Sequence, residues 1–185
     1  MTVREGTLAV LGAKYEIEQA LLRYTRGVDR KDWELVRSAY RADAIDIHGD
    51  FNGTIDEFIA YLVKRHENIE QSLHAICNSA FDWKGEDVAI VETYYICYQR
   101  LKSADHVEDA FGTVELDDDQ TLQITAVGRY IDRFVREDAT WLIAHRQVTF
   151  DVLKADPTPL GGGLPPTIIH SRRDTDDILW QELKG

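Results

Sequence analysis

Cysteine is scarce in this 185-residue sequence, which contains only Cys77 and Cys97. Two cysteines cannot form the multi-disulfide framework of a small secreted domain, and both fall inside predicted strands rather than at the spacing of metal ligands. The six histidines are scattered without an HExxH motif. We therefore predict two buried, reduced thiols, no metal site and no cofactor.

Long apolar runs and a basic surface are also missing. No run approaches the ~18 apolar residues of a membrane helix, and the opening MTVREGTLAV lacks the apolar core of a signal peptide. The 21 Lys and Arg against 33 Asp and Glu leave a net charge of -12, which argues against nucleic-acid binding, because phosphate binding needs a basic face and none is apparent. The sequence predicts a cytoplasmic protein with neither a nucleic-acid nor a membrane partner.

The composition is that of a globular protein, with 44% hydrophobic and 29% charged residues. A chain of this length forms one domain that buries roughly 70% of its unfolded surface. We place this domain at residues 1–155. Residues 156–185 form a tail that begins with the Pro- and Gly-rich PTPLGGGLPPT and ends in a short helix over 175–183. The tail is predicted to dock on an apolar surface, and a disordered tail is the alternative.

Apolar periodicity places three helices in the N-terminal part of the chain. The first covers residues 14–27 and the second 32–40, with Asp29 or Asp32 as the N-cap of the second. Thr54 followed by Glu57 is a capping box that opens a third helix from Ile55 to about Asn68. Between them lie a short strand over 44–48 and a turn over 49–53, whose Asn52-Gly53 pair is a hairpin signal.

The rest of the domain reads as antiparallel sheet. Strands are predicted at residues 71–83, 87–101, 121–136 and 140–153, with turns at Gly85-Glu86 and Glu137-Asp138 and an acidic loop over 102–120. Helices followed by a meander indicate an α+β fold with its helices on one side of the sheet.

Both faces of the strand that follows Asp87 are apolar. One face carries Val88, Ile90, Tyr94, Ile96 and Tyr98, and the other carries Ala89, Val91, Tyr95 and Cys97. A sheet with one wet face would alternate between apolar and polar residues. If helices cover one face, another copy of the chain is the simplest cover for the other. We therefore predict a homo-oligomer, a trimer in preference to a dimer.

Asp29 lies where the apolar face of the first helix ends. Ionised there, its carboxylate needs a partner, because an unpaired buried charge is costly. The candidate partner is His74, in the strand-like run SLHAICNSAF. The alternative for Asp29 is an ordinary helix cap.

Three segments, YTRGVDRKDWELVRSAYRADA, SLHAICN and RYIDRFVREDATWLIAHRQV, resemble the SnoaL-like branch of the nuclear transport factor 2-like superfamily. The resemblance covers about residues 10–150. It implies a cone-shaped α+β barrel, in which three N-terminal helices pack on a strongly curved, mostly antiparallel sheet that encloses a pocket.

The resemblance also implies roles for four catalytic candidates. Asp29 and His74 occupy the positions of the family's catalytic acid and histidine, in which the histidine abstracts a proton and the aspartate fixes its tautomer. Tyr24 matches a tyrosine that contacts substrate in one dehydratase of the family, with core packing as the alternative. His48 stands where such dehydratases have a tyrosine that assists the leaving group, so the identity of the general acid stays open.

Four further residues are predicted to bind substrate. Arg146 matches an arginine of the family's enzymes and would hold a carboxylate, phenolate or oxyanion, with a surface or interface ion pair as the alternative. Asn78 shares the strand face of His74 if the two-residue period holds, and Tyr94 and Trp141 would supply aromatic walls.

The function predicted is a cofactor-independent lyase, a dehydratase or related enzyme, acting on a mostly apolar cyclic or aromatic small molecule. An isomerase or cyclase with the same dyad is one alternative. The other is a non-catalytic ligand-binding protein, or a structural subunit like the small subunit of ring-hydroxylating dioxygenases. A pocket of several hundred Å³ would admit a sterol, a polyketide or a biaryl.

Overall fold

A long helix crosses one face of a curved six-stranded sheet in the computed structural model, which describes residues 8–102 and 114–184. The elements are, in chain order, α1 (Leu8–Arg30), α2 (Trp33–Arg37), β1 (Tyr40–His48), β2 (Phe51–Thr54), α3 (Ile55–Arg65), β3 (Ile69–Trp83), β4 (Val88–Leu101), β5 (Gln120–Glu137), β6 (Thr140–Pro159), a 3₁₀ turn (Leu160–Gly163) and α4 (Ile178–Glu182).

The sheet has the strand order β2-β1-β6-β5-β4-β3. All neighbouring strands are antiparallel except β1 and β6, which run parallel. The sheet is not closed, since β2 and β3 are its edges over the residues described. At Gly128 a side chain would collide with the backbone of Thr149, so glycine permits the irregular pairing of β5 and β6 there. The predicted cone-shaped α+β fold with its mostly antiparallel sheet is confirmed.

The way α1 leads into α2 allows the Asp29 carboxylate to contact interior residues instead of capping α2. A Cβ at Gly27 would lie 2.7–2.8 Å from Val36 and from the carbonyl oxygen of Asp32, so only glycine allows the two helices to approach this closely. The carboxylate that caps α2 is that of Asp32, which accepts a hydrogen bond from the backbone N–H of Leu35 at 3.0 Å. Asp29 is therefore not the N-cap.

The core lies between the helices and the inner face of the sheet. From α1 it takes the predicted apolar stripe, including the fully buried Tyr24 and Val28. From α3 it takes Ile55, Phe58 and Leu62, and the capping box of Thr54 and Glu57 is present as predicted. None of the helices in the described ranges combines the length and apolar composition that a membrane crossing requires.

Several element boundaries differ from the sequence prediction. The predicted second helix over 32–40 ends at Arg37, because the Ala39 carbonyl accepts a sheet hydrogen bond from the N–H of Ile143. The third helix ends at Arg65 rather than near Asn68. The chain turns between β1 and β2 at Gly49 and Asp50, and the predicted Asn52-Gly53 turn lies inside β2 instead. The turn between β5 and β6 is at Asp138 and Ala139, both with positive φ.

A bulge in β3 shifts the register of the strand between Ile76 and Ser79, so that residues 77 and 78 together oppose one residue of β4. The bulge moves Asn78 off the face of His74. Cys77 is exposed because the two-residue period already places it on the face opposite His74, which corrects the prediction of two buried thiols. Cys97 on β4 is buried, and both cysteines are free.

The acidic loop predicted over 102–120 lies largely outside the described residues, since 103–113 are not covered. Beyond it, β6 extends to Pro159, so the first residues of the predicted tail pair with β5 as part of the sheet. The tail helix spans Ile178–Glu182, shorter than the predicted 175–183, because Asp177 serves as its N-cap. Asp177 also contacts Arg30 at 3.1 Å, which ties the tail to the end of α1.

Candidate active site

Two concave regions meet at His74. An interior cavity of about 190 Å³ lies between α1, α3 and the inner face of the sheet. An outer groove of about 750 Å³ runs between α1, the start of β3 and the tail. His74 lines both, whereas Asp29 lines only the groove. The imidazole is therefore the group that connects the carboxylate to the interior.

Asp29 and His74 meet although 45 positions separate them in the chain. The Nδ1 atom of His74 lies 2.6 Å from Oδ1 of Asp29, and the backbone N–H of His74 donates to Oδ2 at 2.8 Å. The hydroxyl of Ser72 donates to Oδ1 at 2.8 Å. Three donors on one carboxylate fix its position and, since Nδ1 faces it, direct Nε2 of His74 away from it.

The same contacts shift the acidity of both groups. Burial raises the pKa of the Asp29 carboxyl, but hydrogen bonds and charge from His74 outweigh burial and lower it overall. Burial lowers the pKa of His74, but the neighbouring Cys97 sulfur and the Asp29 carboxylate outweigh it and raise the pKa to about 10. In the free protein at neutral pH, the pair is therefore a carboxylate and an imidazolium.

The inner end of the cavity is aromatic. Tyr24 and Tyr130 line it, packed edge to face with ring centroids 5.7 Å apart, and the Tyr24 ring lies 6.5 Å from that of His74. Burial raises the pKa values of both tyrosines, so each hydroxyl stays protonated at neutral pH. Tyr24 is thus a core residue that also forms part of the cavity wall.

His48 lies at the more exposed end of the cavity. Its side chain is about one-quarter exposed, stacks on Phe58 and has Nδ1 3.7 Å from Oδ1 of the buried Asp46. Neither of these two atoms has a hydrogen-bond partner in the described residues. His48 therefore lines the cavity apart from the Asp29 and His74 pair.

Arg146 does not line the cavity. Its guanidinium is fully buried in a bidentate ion pair with Asp132, at 2.7 and 2.6 Å, between the rings of Tyr24 and Tyr130 at 4.3 and 4.2 Å. Arg146 is thus in an ion pair, but a buried one within the chain rather than the surface or interface pair given as the alternative. Arg146 supports the back of the cavity through Tyr24 and Tyr130.

The remaining predicted substrate-binding residues also lie outside the cavity. The bulge turns Asn78 to the exposed face, so the prediction that it shares the face of His74 is wrong. Tyr94 is on the outer face of β4, 39% exposed, with Arg129 over its ring. Trp141 is buried against Trp83 with ring centroids 5.7 Å apart, and it does not contact the cavity.

Four residues at or beside the cavity were not identified from sequence. Tyr95 and Cys97 lie on the inner face of β4, and strand alternation was the signal that could have selected Tyr95 over Tyr94. His66 follows α3 and lines the cavity, and Arg173 contacts it from the tail. No local pattern marks these last two, because they are 107 positions apart. Among the described residues, no group of three or more His, Cys, Asp or Glu side chains could hold a metal ion.

Comparisons with known proteins agree on the fold. The family model of the SnoaL-like domain matches residues 9–147. No curated protein matches the chain. A provisionally named scytalone dehydratase from Novosphingobium aromaticivorans DSM 12444 has 18% identity and a TM-score of 0.64, with coverage of 79% of this chain and 89% of its own. A LinA-type3 hexachlorocyclohexane dehydrochlorinase from Novosphingobium barchaimii LL02 has 20% identity and a TM-score of 0.62, with coverage of 86% and 99%. Likeness at these identities establishes the fold and not the activity.

Proposed function

Because this chain belongs to the SnoaL-like domain family, and because one imidazole joins a fixed carboxylate to an interior cavity, we propose that the protein is a cofactor-independent lyase. Asp29 and His74 are its acid-base dyad. The observation that carries the proposal is the 2.6 Å contact between Nδ1 of His74 and the Asp29 carboxylate. His74 reaches the cavity from that contact, where it takes a proton from carbon as the leaving group departs.

The dyad works through the charge that develops on His74. When the imidazole accepts a proton, the Asp29 carboxylate stabilises the imidazolium and holds Nδ1 as the donor to itself, so that Nε2 does the chemistry. Acid-base catalysis of this kind contributes ~10²- to 10⁴-fold. A cavity whose inner end is aromatic and buried strengthens the effect, because water does not screen the charges there.

Tyr95 and His48 are the candidates for the group that helps the leaving group depart. The Tyr95 hydroxyl is buried, lines the cavity and has no hydrogen-bond partner in the described part of the chain. Burial raises the pKa of Tyr95, so it is a hydroxyl donor at neutral pH. His48 lies nearer to solvent, and a protonated imidazole would donate equally well.

The cavity favours a small substrate. Its volume of about 190 Å³ lies below the roughly 300–1,000 Å³ of pockets that hold drug-sized ligands. A single carbocyclic or aromatic ring with few substituents fits this space, whereas a sterol does not. This narrows the substrate range that the sequence alone left open.

Two alternatives use the same residues. An isomerase or cyclase would employ the dyad to take and return one proton without losing a group. A non-catalytic ligand-binding protein or structural subunit would not need the three donors that fix Asp29 against His74. The organised carboxylate therefore favours the enzyme.

The test is a panel of single-ring compounds that carry an acidic C–H beside a leaving group. It includes 3-hydroxycyclohexanone, which would lose water, and hexachlorocyclohexane, which would lose HCl. Enone absorbance and chloride release report elimination, and deuterium uptake from D₂O without loss of a group reports isomerisation. Binding of panel members with neither product nor deuterium uptake would reject the catalytic proposal in favour of a binding protein.

The pH dependence follows from the raised pKa of His74. A base must be neutral in the free enzyme, so kcat/KM is expected to rise with pH through a range above the ordinary value of 6.5 and toward about 10. Cys97→Ala removes one cause of the raised pKa and should move this rise to lower pH. The measurement is kcat/KM between about pH 6 and pH 10 for both proteins. A flat or falling profile in the unmodified protein would exclude His74 as the base.

We further propose that the outer face of the sheet joins copies of this chain. Leu73 and Tyr98 are cross-strand partners there, 52% and 41% exposed, next to the half-exposed Tyr94. Large apolar side chains exposed together on one sheet face are typical of an interaction surface. Light scattering should show an oligomer, a trimer in preference to a dimer, and Tyr98→Glu should yield monomer. Lys64→Glu on exposed α3 is the matched control, and an unchanged mass for Tyr98→Glu would exclude this interface.

A further inference from the structure

His66 is a second histidine of the interior cavity, apart from the dyad. It is the C-cap residue that follows α3, it is 1% exposed, and it is one of the cavity-lining residues. Trp33 packs edge to face against its ring, with centroids 5.5 Å apart, which holds the ring plane. A histidine this deeply buried needs partners for both ring nitrogens.

Only one of those nitrogens has a partner. Nη2 of Arg173 lies 2.6 Å from Nδ1 of His66. A guanidinium can only donate, so Nδ1 must accept and the ring proton must be on Nε2. That Nε2–H has no hydrogen-bond partner among the described residues. A buried, unsatisfied donor costs free energy in the empty protein, which a ligand with an acceptor atom would recover.

Arg173 is itself firmly held. Its guanidinium donates to the carbonyl oxygens of Val28 and Asp29 at the end of α1, at 2.8 and 2.7 Å, and to that of Ile69 at the start of β3, at 2.9 Å. The Val28 and Asp29 carbonyls lie at the C-terminus of α1, where a cation is favoured. The tail therefore places the positive charge of Arg173 at a fixed position beside Nδ1 of His66.

Burial, together with that charge, keeps His66 neutral. Burial lowers the pKa of His66 to about 2, and the nearby charges of Arg173 and Arg65 act in the same direction. A neutral imidazole in this setting donates without transferring its proton, and neutral histidines polarise substrate oxygens in this way.

We infer that His66 is a substrate-contacting hydrogen-bond donor of the cavity, and that Arg173 is the positioning residue that fixes its proton on Nε2. The acceptor is an oxygen of the substrate, neutral or partly anionic, on the molecule from which His74 removes its proton. The inference rests on the proposed function for the identity of that molecule. It gives the tail a role in the site, because Arg173 of the tail positions a residue that lines the cavity.

The test uses the full chain with 4-nitrophenol as a single-ring oxygen acceptor whose absorbance reports binding. His66→Phe should weaken its Kd about tenfold, the effect of one buried hydrogen bond, and His66→Gln, which keeps an N–H donor, should restore much of the affinity. His170→Gln is the matched control, since His170 is exposed and its Nε2 hydrogen-bonds to the Pro165 carbonyl oxygen. Thermal unfolding of each variant shows that the fold is kept.

The tautomer provides a second measurement that a merely structural role would not change. Nitrogen-15 spectra should show His66 protonated on Nε2 and uncharged down to about pH 4, and Arg173→Ala should give a mixture of tautomers with weaker 4-nitrophenol binding. Arg172→Ala is the neighbouring control, because Arg172 is half exposed and its guanidinium pairs with Asp174 and Asp176 of the same segment. Wild-type affinity in His66→Phe, or a proton on Nδ1, would overturn the inference.

The outcomes separate this inference from the proposed function. Loss of elimination in a His74 variant with unchanged 4-nitrophenol binding in His66→Phe would leave the lyase standing and refute the donor. His66-dependent binding without any elimination across the panel would support the donor and refute the lyase.

Discussion

Replacing His74 by alanine is expected to lower kcat/KM for elimination at least ~100-fold while leaving the fold intact. The imidazole is the only basic group that both lines the cavity and contacts the Asp29 carboxylate in the described residues. Asp29→Asn should cause a loss of similar size, because an amide in place of the carboxylate favours the wrong tautomer of His74. Initial rates with the best compound of the panel measure both effects.

Asp32→Asn is the matched control for the aspartate. Asp32 lies three residues further along and caps α2, and asparagine caps a helix about as well as aspartate does. Activity and stability should therefore stay near those of the unmodified protein. Full activity in Asp29→Asn or His74→Ala would refute the assigned roles, and equal losses in Asp32→Asn would show that any change near α2 disturbs the site.

The sequence was sufficient to bring Asp29 and His74 together because both depend on simple periods. The apolar stripe of α1 turns Tyr24 and Val28 toward the core. Asp29, the residue after Val28, therefore lies beside the core at the end of the helix. In β3, the two-residue alternation up to Ile76 keeps His74 on the inner face. Helical and strand periods therefore determined which side each residue faces, and the resemblance supplied the pairing.

The same reasoning failed where a strand departs from its period. The bulge at residues 77 and 78 reverses the faces that follow, so Asn78 is exposed instead of sharing the face of His74. A second irregularity explains why Arg146 pairs with Asp132. From Glu137 to Phe134 the β5–β6 register is that of a two-residue turn, but a shift between Phe134 and Arg133 then places Asp132 opposite Arg146. A regular hairpin would have paired Asp132 with His145, and no local pattern in the sequence announces the shift.

Tertiary contacts of the tail were beyond local patterns altogether. The tail was predicted to dock through apolar residues, and Trp180 does lie near Arg26 of α1 with 6.0 Å from the guanidinium carbon to its ring. The contacts that reach the cavity are instead those of Arg173, a charged residue that donates to backbone carbonyls. Backbone acceptors carry no sequence signature, so neither Arg173 nor its effect on His66 was predictable.

The largest effect on stability is expected at Arg146. Arg146→Met would leave the Asp132 carboxylate fully buried without its guanidinium, and breaking a buried ion pair in this way costs ~3–5 kcal/mol of unfolding free energy. Urea denaturation measures this loss. Removing both charges, as in Arg146→Met with Asp132→Leu, should recover much of it, because well-packed apolar residues often replace buried ion pairs without loss.

An ion pair on the protein surface is the control for this prediction. Arg129 contacts Asp151 at 2.9 Å, with both side chains more than one-third exposed, so Arg129→Met should cost only ~0–1 kcal/mol. A similarly small cost for Arg146→Met would mean that Asp132 is not left uncompensated, and that the guanidinium is free to serve a ligand as first predicted. A large loss of unfolding free energy in Arg146→Met that is relieved in the double variant would assign Arg146 to the support of Tyr24 and Tyr130. Removing a residue that only held substrate would instead leave the free energy of unfolding unchanged.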